Sequence, residues 1–348
     1  MIVQSANYLR EVSQRIFEGV GCPTDIAQRV ADALVDANLA GHDSHGVIRI
    51  PQYVTAVRDG HVIADARPSL MRETAVTGLV DGHWAFGQLS AFYATEVAIA
   101  KAKVAGVSMV GIVRCNHIGR LGEYATMASD AGIAAIVTTS GFGGRGVSAA
   151  PFGGAKPVLG TNPIAVGLPA GVEPDVLVDF ATTAVAAGKI EVARAKKTPL
   201  PPGSIVDREG RPTTDPEDYY NGGMLLPFGG HKGYSLSVVV EFLGRILTGA
   251  DTFAEGTRGG PVYGHSGSLV IAMDPGVFVN PEQYAAAADE TLHRLKSVPP
   301  APGSSGVMIP GEPESRSRSE RIEGGIPLAE DTWKAITNAA RQVGVTIE

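Results

Sequence analysis

Cysteine is nearly absent: only Cys22 and Cys115 occur in 348 residues. So far apart, and without Cys-x-x-Cys spacing, they argue against a disulfide framework and for a reducing compartment, the cytoplasm. A basic excess is also lacking. Lys and Arg number 29 against 36 Asp and Glu, a formal charge of -7, and no Lys/Arg stripe is interleaved with aromatics, which excludes a nucleic-acid partner. No apolar run is long enough to span a bilayer. The opening segment alternates Leu9, Val12, Ile16 and Phe17 with Arg10, Glu11, Gln14 and Arg15 at helical period, unlike a signal peptide. Neither an internal repeat nor a low-complexity tract is found. What abounds is glycine (44) and proline (23), the mark of a turn-rich globular chain.

A chain of this length exceeds the usual single core, so a large domain with a smaller partner is expected. Two helices open it, the second from the N-cap candidate Thr24 through Ile26, Val30, Leu34 and Ala37 to a stop at Gly41. After Asp81-Gly82 the pattern changes. A helix over 88–105, stopped by Gly106, leads into the β-branched run Val107–Val113. A helix over 119–131 and a strand over 133–139 follow, an order that predicts a right-handed parallel crossover. Further strands fit Ile164–Leu168, Val176–Phe180 and 269–273, and an amphipathic helix fits 234–247. Residues 298–314, rich in Pro, Gly and Ser, and the charges that follow from Arg316 to Glu323 read as a surface excursion before a last helix over 328–343. The fold class is therefore α/β.

Gly141-Phe142-Gly143-Gly144-Arg145-Gly146 satisfies GxGxxG after a strand, yet it fails as a dinucleotide fingerprint. Pro151, Gly153, Gly154 and Pro157 forbid the helix whose N-terminus would receive a pyrophosphate, and the next acid, Glu173, stands past a proline-rich turn. A flexible loop near the site is the better reading.

Chemistry concentrates elsewhere. His42-Asp43-Ser44-His45-Gly46, with Arg49 close behind, packs imidazoles, a hydroxyl and a guanidinium into a turn or two. His45 and Arg49 at i, i+4 would share a face, and the planar fork of Arg suits a carboxylate. The plainer alternatives are that Asp43 caps a helix, that Arg49 is a surface residue, and that His42 and His45 form part of a metal site, although no third ligand stands at a recognisable spacing. Asn116-His117-Ile118-Gly119 follows a strand at its carboxyl end, where α/β sheets place ligands, and an imidazole there can exchange a proton with a carbonyl oxygen. Asn116 as a mere helix cap is the alternative. Gly160-Thr161-Asn162-Pro163, Asp179-Phe180-Ala181-Thr182-Thr183 and Gly229-Gly230-His231-Lys232-Gly233-Tyr234 are small-residue turns that either approach a cofactor or simply turn the chain.

Together and in this order, DSHGVIRIPQYV, NHIGRLGEY, GTNPIAVGLP, DFATT, GRPTTDP, HKGYSL and IPGE resemble the type 2 malate/L-lactate dehydrogenase family over nearly the whole chain, and its hydroxycarboxylate dehydrogenase members most. The resemblance implies a mixed-sheet, non-Rossmann NAD(P)-binding domain over residues 76–299. It also implies a smaller helical domain built from both chain ends, 1–75 plus 300–348, and a homodimer. It implies NAD or NADP as cofactor and a small 2-hydroxy or 2-oxo acid as substrate. His45 and His117 would be the proton donor and acceptor, Ser44 and Arg49 substrate-side residues. The cofactor would be met by Ser140, Asp179, Ala181, Thr182, Lys232 and the loop Pro310, Gly311, Glu312; no metal is called for. One departure is Thr139-Ser140-Gly141-Phe142, where many members carry Asn-Ser before the glycine-rich loop. Other members reduce a cyclic imine carboxylate or oxidise ureidoglycolate, so these stand as alternative activities. A non-catalytic protein binding a metal through His42-Asp43-Ser44-His45 is a remote one.

Overall fold

The computed structural model describes residues 2–141 and 147–347. The chain begins with β1 (Ile2–Gln4) and α1 (Ala6–Gly19), whose first turn is capped by the Ser5 hydroxyl accepting from the Tyr8 amide at 3.2 Å. The apolar face of α1, Leu9, Val12, Ile16 and Phe17, is fully buried against α2 (Thr24–Leu39) and α3 (Ile50–Arg58). Then come β2 (Ser69–Glu73), β3 (Thr77–Asp81), α4 (Gly87–Ala105), β4 (Val107–Val113), α5 (Gly122–Asp130), β5 (Ala134–Ser140), β6 (Ile164–Leu168) and β7 (Val176–Phe180). A smaller excursion holds α6 (Ala187–Lys196), β8 (Ile205–Val206), β9 (Pro212–Thr213), α7 (Pro216–Tyr220) and β10 (Met224–Leu225). The chain closes with α8 (His231–Glu241), α9 (Gly260–Tyr263), β11 (Gly267–Met273), α10 (Pro281–Lys296), α11 (Glu312–Gly324), β12 (Ile326–Leu328) and α12 (Glu330–Gln342).

Seven strands form the main sheet in the order β2-β3-β4-β11-β5-β6-β7. Only β3 and β4 pair in parallel; every other neighbouring pair is antiparallel. This is a mixed sheet, and it is not Rossmann. The sequence predicts the parallel crossover from β4 to β5, and the two strands do run the same way. They are not neighbours, however, because β11 lies between them, Val270 opposite both Val110 and Val137. The alanine stripe of α4, Ala91, Ala94, Ala98 and Ala102, is buried on this sheet, small side chains letting the helix lie close.

A second core joins the two chain ends. β1 pairs with β12, Ile2 opposite Leu328, and Ile326, Leu328 and Ile336 pack with Leu9, Phe17, Leu34, Tyr53 and Phe86. Three local expectations are corrected. The helix after His117 starts at Gly122, not 119, because Gly119 takes a positive φ of 76°. The helix expected over 234–247 begins at His231 and widens into a π-turn over Phe242–Ile246. The charges after Pro313 lie on α11: Arg316, Glu320 and Glu323 are exposed as expected, but Arg318 and Arg321 pair with Asp36 and Asp43.

Candidate active site

Gly41, at a φ of 81°, ends α2, and the chain then makes two tight turns, Asp43–His45 and Val47–Arg49, before α3. Buried Asn38 holds these turns: its amide donates to Asp43 at 2.6 Å, and its carbonyl oxygen accepts from the Val47 amide at 2.8 Å. A Cβ on Gly46 would stand 2.1 Å from Asn38, so the position admits only glycine. Asp43 is therefore a brace, tied to Asn38 and Arg321, and not a helix cap. What the turns present is Ser44, His45 and Arg49. The Ser44 hydroxyl lies 3.0 Å from His45 Nδ1, and Arg49 donates through Nε to the Ser44 carbonyl at 2.6 Å and through Nη1 to Gln52 at 2.8 Å.

His117 arrives from the end of β4. Asn116 is not a cap either, since its amide nitrogen lies 3.3, 3.1 and 3.1 Å from the carbonyl oxygens of His61, Trp84 and Ala85 and anchors the loop from below. The start of α4 lies directly on that loop, a Cβ on Gly87 standing only 2.3 Å from the carbonyl oxygens of Asn116 and His117. In this position the His117 ring stacks on His45, centroids 5.4 Å apart and planes within 15°. Tyr263 closes on the same ring at 5.6 Å, and the Tyr53 hydroxyl reaches its Nδ1 at 2.7 Å.

Both imidazoles are held neutral. Burial, then the Arg49 guanidinium, then His42 and Arg120 push His45 down to about 3; burial, Arg49 and His45 push His117 well below the usual histidine value. Arg49 itself faces two neutral oxygens, and no carboxylate within ion-pair reach of it is found among the described residues. A cation without a counter-ion beside two neutral rings, all half-buried, is chemically suited to receive a small carboxylate.

A second group lies alongside. Asp179, at the end of β7, accepts from the Gly122 amide at 2.8 Å and faces Arg120 at 4.0 Å. Burial raises its pKa against the opposing pull of His42, Arg120 and the Gly122 amide. Arg120 is 6% exposed, and its Nε and Nη1 have no hydrogen-bond partner. His42 contacts Glu314 of α11 at 3.3 Å, which holds that carboxyl below its ordinary range. Thr182 donates through both its amide and hydroxyl to Thr161, and its carbonyl accepts from Phe228, so the segment of Ala181 and Thr182 is joined to the turn that carries Lys232. Pro310 accepts from the Leu177 amide at 3.0 Å, which lays its loop along the free edge of β7; Gly311 turns there at a φ of 104°. Glu312 is engaged within its own loop, with Lys296 and with the Ile309 amide at 3.0 Å. Ser140 is fully buried, its hydroxyl on the carbonyl of Glu241, whereas Lys232 is exposed at the start of α8. Of the GxGxxG segment only Gly141 is described; positions 142–146, including Phe142 and Arg145, lie outside the described residues. No helix begins between 147 and 163, as the prolines dictate. Among the described residues no three His, Cys, Asp or Glu side chains gather as a metal set.

Tyr53, Gln52, Gln88, Arg120, Tyr263 and Glu314 are participants that reasoning from sequence left out. Tyr53 was within reach, because it follows Arg49 by one helical turn. Tyr263 and Glu314 carry no local signal, since only the fold brings them here.

The malate/L-lactate dehydrogenase family profile matches residues 4–337. L-sulfolactate dehydrogenase of Methanothermobacter thermautotrophicus is 38% identical, over 97% of this chain and 96% of its own. Hydroxycarboxylate dehydrogenase B of Escherichia coli O157:H7 is 37% identical, over 99% and 95%. Among solved structures, a malate/lactate dehydrogenase from E. coli superposes with a TM-score of 0.92 at 35% identity, covering 99% of this chain and 96% of that one. The ordered motifs, the mixed sheet and these full-length matches agree: the chain belongs to the malate/L-lactate dehydrogenase family.

Proposed function

We propose that this protein is an NAD(P)-dependent dehydrogenase of small 2-hydroxy acids, working in reverse as a 2-oxo acid reductase. The observation that carries this reading is the stacked His45–His117 pair beside a guanidinium with no acidic partner. Arg49 would grip the C1 carboxylate, Ser44 would steady His45 through its hydroxyl, and His117 would exchange the proton of the C2 oxygen. The lowered pKa of both rings supports this assignment. Burial is the larger cause of the depression at both rings and Arg49 the next, so a bound carboxylate that neutralises Arg49 lifts part of that pressure and makes it easier for an imidazole to hold the proton.

Residues that would hold the dinucleotide are Ser140, Asp179, Ala181, Thr182, Lys232 and the Pro310–Gly311–Glu312 loop. Their fit is supported by Arg120, a buried guanidinium beside Asp179 with two nitrogens that make no hydrogen bond, which calls for ligand oxygens. The nicotinamide, when bound, supplies or accepts the hydride at C2. We further propose a homodimer, supported by the exposed apolar stripe Val239, Phe242, Ile246 and Leu247 along α8 and its π-turn.

The test is absorbance at the reduced-nicotinamide band with lactate, malate, sulfolactate, phenyllactate and ureidoglycolate, and with the matching oxo acids and a cyclic imine carboxylate, each with NAD and NADP. Turnover of one hydroxy acid is expected. Turnover of the imine alone would reassign the protein as a ketimine reductase, and no turnover together with no enhancement of bound nicotinamide fluorescence would end the dehydrogenase reading.

A further inference from the structure

His117 does not stand alone at the cleft. Behind it the Tyr53 hydroxyl lies 2.7 Å from Nδ1, and behind that hydroxyl the Gln88 amide nitrogen lies at 2.8 Å. Both supporting residues are sealed from solvent, Tyr53 at 4% and Gln88 at 1% exposure. Their backbones are fixed as well: Tyr53 packs against Phe17 and Phe86 on α3, and Gln88 stands in the first turn of α4, which rests on the His117 loop.

A hydroxyl has one hydrogen to give. With the Gln88 amide donating to Tyr53, the tyrosine hydrogen points to Nδ1, so Nδ1 must be the bare nitrogen and the ring hydrogen sits on Nε2. The opposite order needs only a half-turn of the amide: Nδ1–H would donate to Tyr53, and Tyr53 to Oε1. That Oε1 is buried with no hydrogen-bond partner, so nothing else in the protein fixes the amide in one sense.

We infer that Tyr53 and Gln88 are positioning residues that act through His117, setting which ring nitrogen carries the hydrogen and thereby presenting Nε2 to the cleft as donor or as acceptor. In the first order the ring offers a hydrogen bond to an oxo acid; in the second it offers a lone pair to the hydroxyl of a hydroxy acid, and the imidazolium formed there keeps Nδ1–H on Tyr53. Only the second order moves the proton: its bare Nε2 takes it from the hydroxy acid, and the imidazolium so formed returns it to the oxygen in the reverse direction, whereas the neutral ring of the first order gives the oxo acid a hydrogen bond and no proton. Neither residue touches substrate.

The inference concerns the site proposed above, and it is tested first by a measurement that needs no turnover. Protein labelled with ¹⁵N-histidine is examined by NMR near neutral pH without ligand, with the His117 signals assigned by their loss in His117→Gln. The expected result is a ratio of the two tautomers in the ligand-free wild type that shifts in Tyr53→Phe, which keeps the aromatic packing but removes the hydroxyl, and in Gln88→Met, which removes the amide. A ratio that stays the same in Tyr53→Phe and Gln88→Met alike overturns the inference, whatever the enzyme does. With an active substrate in hand, both variants should lose at least ~10-fold in kcat, part of the ~10²–10⁴-fold that a positioned acid–base group supplies, with KM nearly unchanged. A rise in KM at constant kcat would instead mean that the pair shapes the binding cleft. If the ratio shifts in the variants yet no hydroxy acid is turned over, the proposed activity fails and the inference stands.

Discussion

At the scale of single residues, the sharpest feature is charge without compensation. Arg49 already uses Nε on Ser44 and Nη1 on Gln52, so its orientation is fixed before any ligand arrives. Lysine has one nitrogen and cannot keep both anchors while gripping a carboxylate. Arg49→Lys should lower kcat/KM about 10- to 100-fold, the equivalent of ~1.5–3 kcal/mol for a charge-assisted hydrogen bond. Steady-state kinetics with unchanged constants would remove Arg49 from the site. The histidines make a second, independent prediction. His45 is held down to about 3 by burial, Arg49, His42 and Arg120, against 6.5 for a free ring. The fold therefore binds fewer protons than the unfolded chain between those values; the stabilisation is complete above about 6.5 and is lost as pH falls toward 3. Urea midpoints should decline from about pH 7 to about pH 5 and decline less in His45→Gln, with His117, shifted the same way, accounting for part of the remainder. Equal slopes in the two proteins would mean that His45 is already charged in the fold.

At the scale of elements, the site is an assembly of ends. The end of α2, the end of β4, the end of β7 and the starts of α4 and α11 each deliver one or two groups. The joint between α4 and the His117 loop is the least yielding of them, because a Cβ on Gly87 would meet two backbone carbonyl oxygens, which have no rotamer to yield. Gly87→Ala should cost about 1–3 kcal/mol in denaturant titrations, as overpacking does, and should reduce activity more than stability explains by shifting His117 against His45. Were the variant as stable as wild type, the loop and helix would have to be looser than this contact implies. The helices and strands themselves were mostly legible: the period of Leu9, Val12, Ile16 and Phe17 and the stop at Gly106 mark real boundaries. The misreadings have local causes. Residues 316–323 look solvated because the partners of Arg318 and Arg321 are Asp36 and Asp43, more than 270 positions away in the chain. The apolar run over 269–273 could show a strand but not that it inserts between β4 and β5.

At the scale of the whole molecule, the two chain ends close one core while the intervening chain builds the sheet, and the His45–His117 pair joins a turn of the first to a strand end of the second. The apolar stripe on α8 and its π-turn points away from this chain's cores. Phe242 and Leu247 are each 58% exposed, which is costly for large apolar side chains in water unless a second copy covers them. Phe242→Glu combined with Leu247→Glu should convert the proposed dimer to monomer in sedimentation velocity. A wild type that sediments as a monomer at all concentrations would remove the stripe from that role.

The sequence by itself determined the helices that open the chain, the strand-ending motifs, the rejection of a Rossmann loop through Pro151 and Pro157, and the residue types of the chemistry, because each depends on local period, backbone freedom or side-chain functional groups. Only the tertiary structure decided that His45 and His117 stack, that Tyr53 and Gln88 stand in line behind the second ring, that Arg120 is left with two nitrogens that make no hydrogen bond, and that Asp43 is a brace. Those outcomes depend on distances between segments far apart in the chain, and such distances are set by how the cores pack, which no single stretch of sequence encodes.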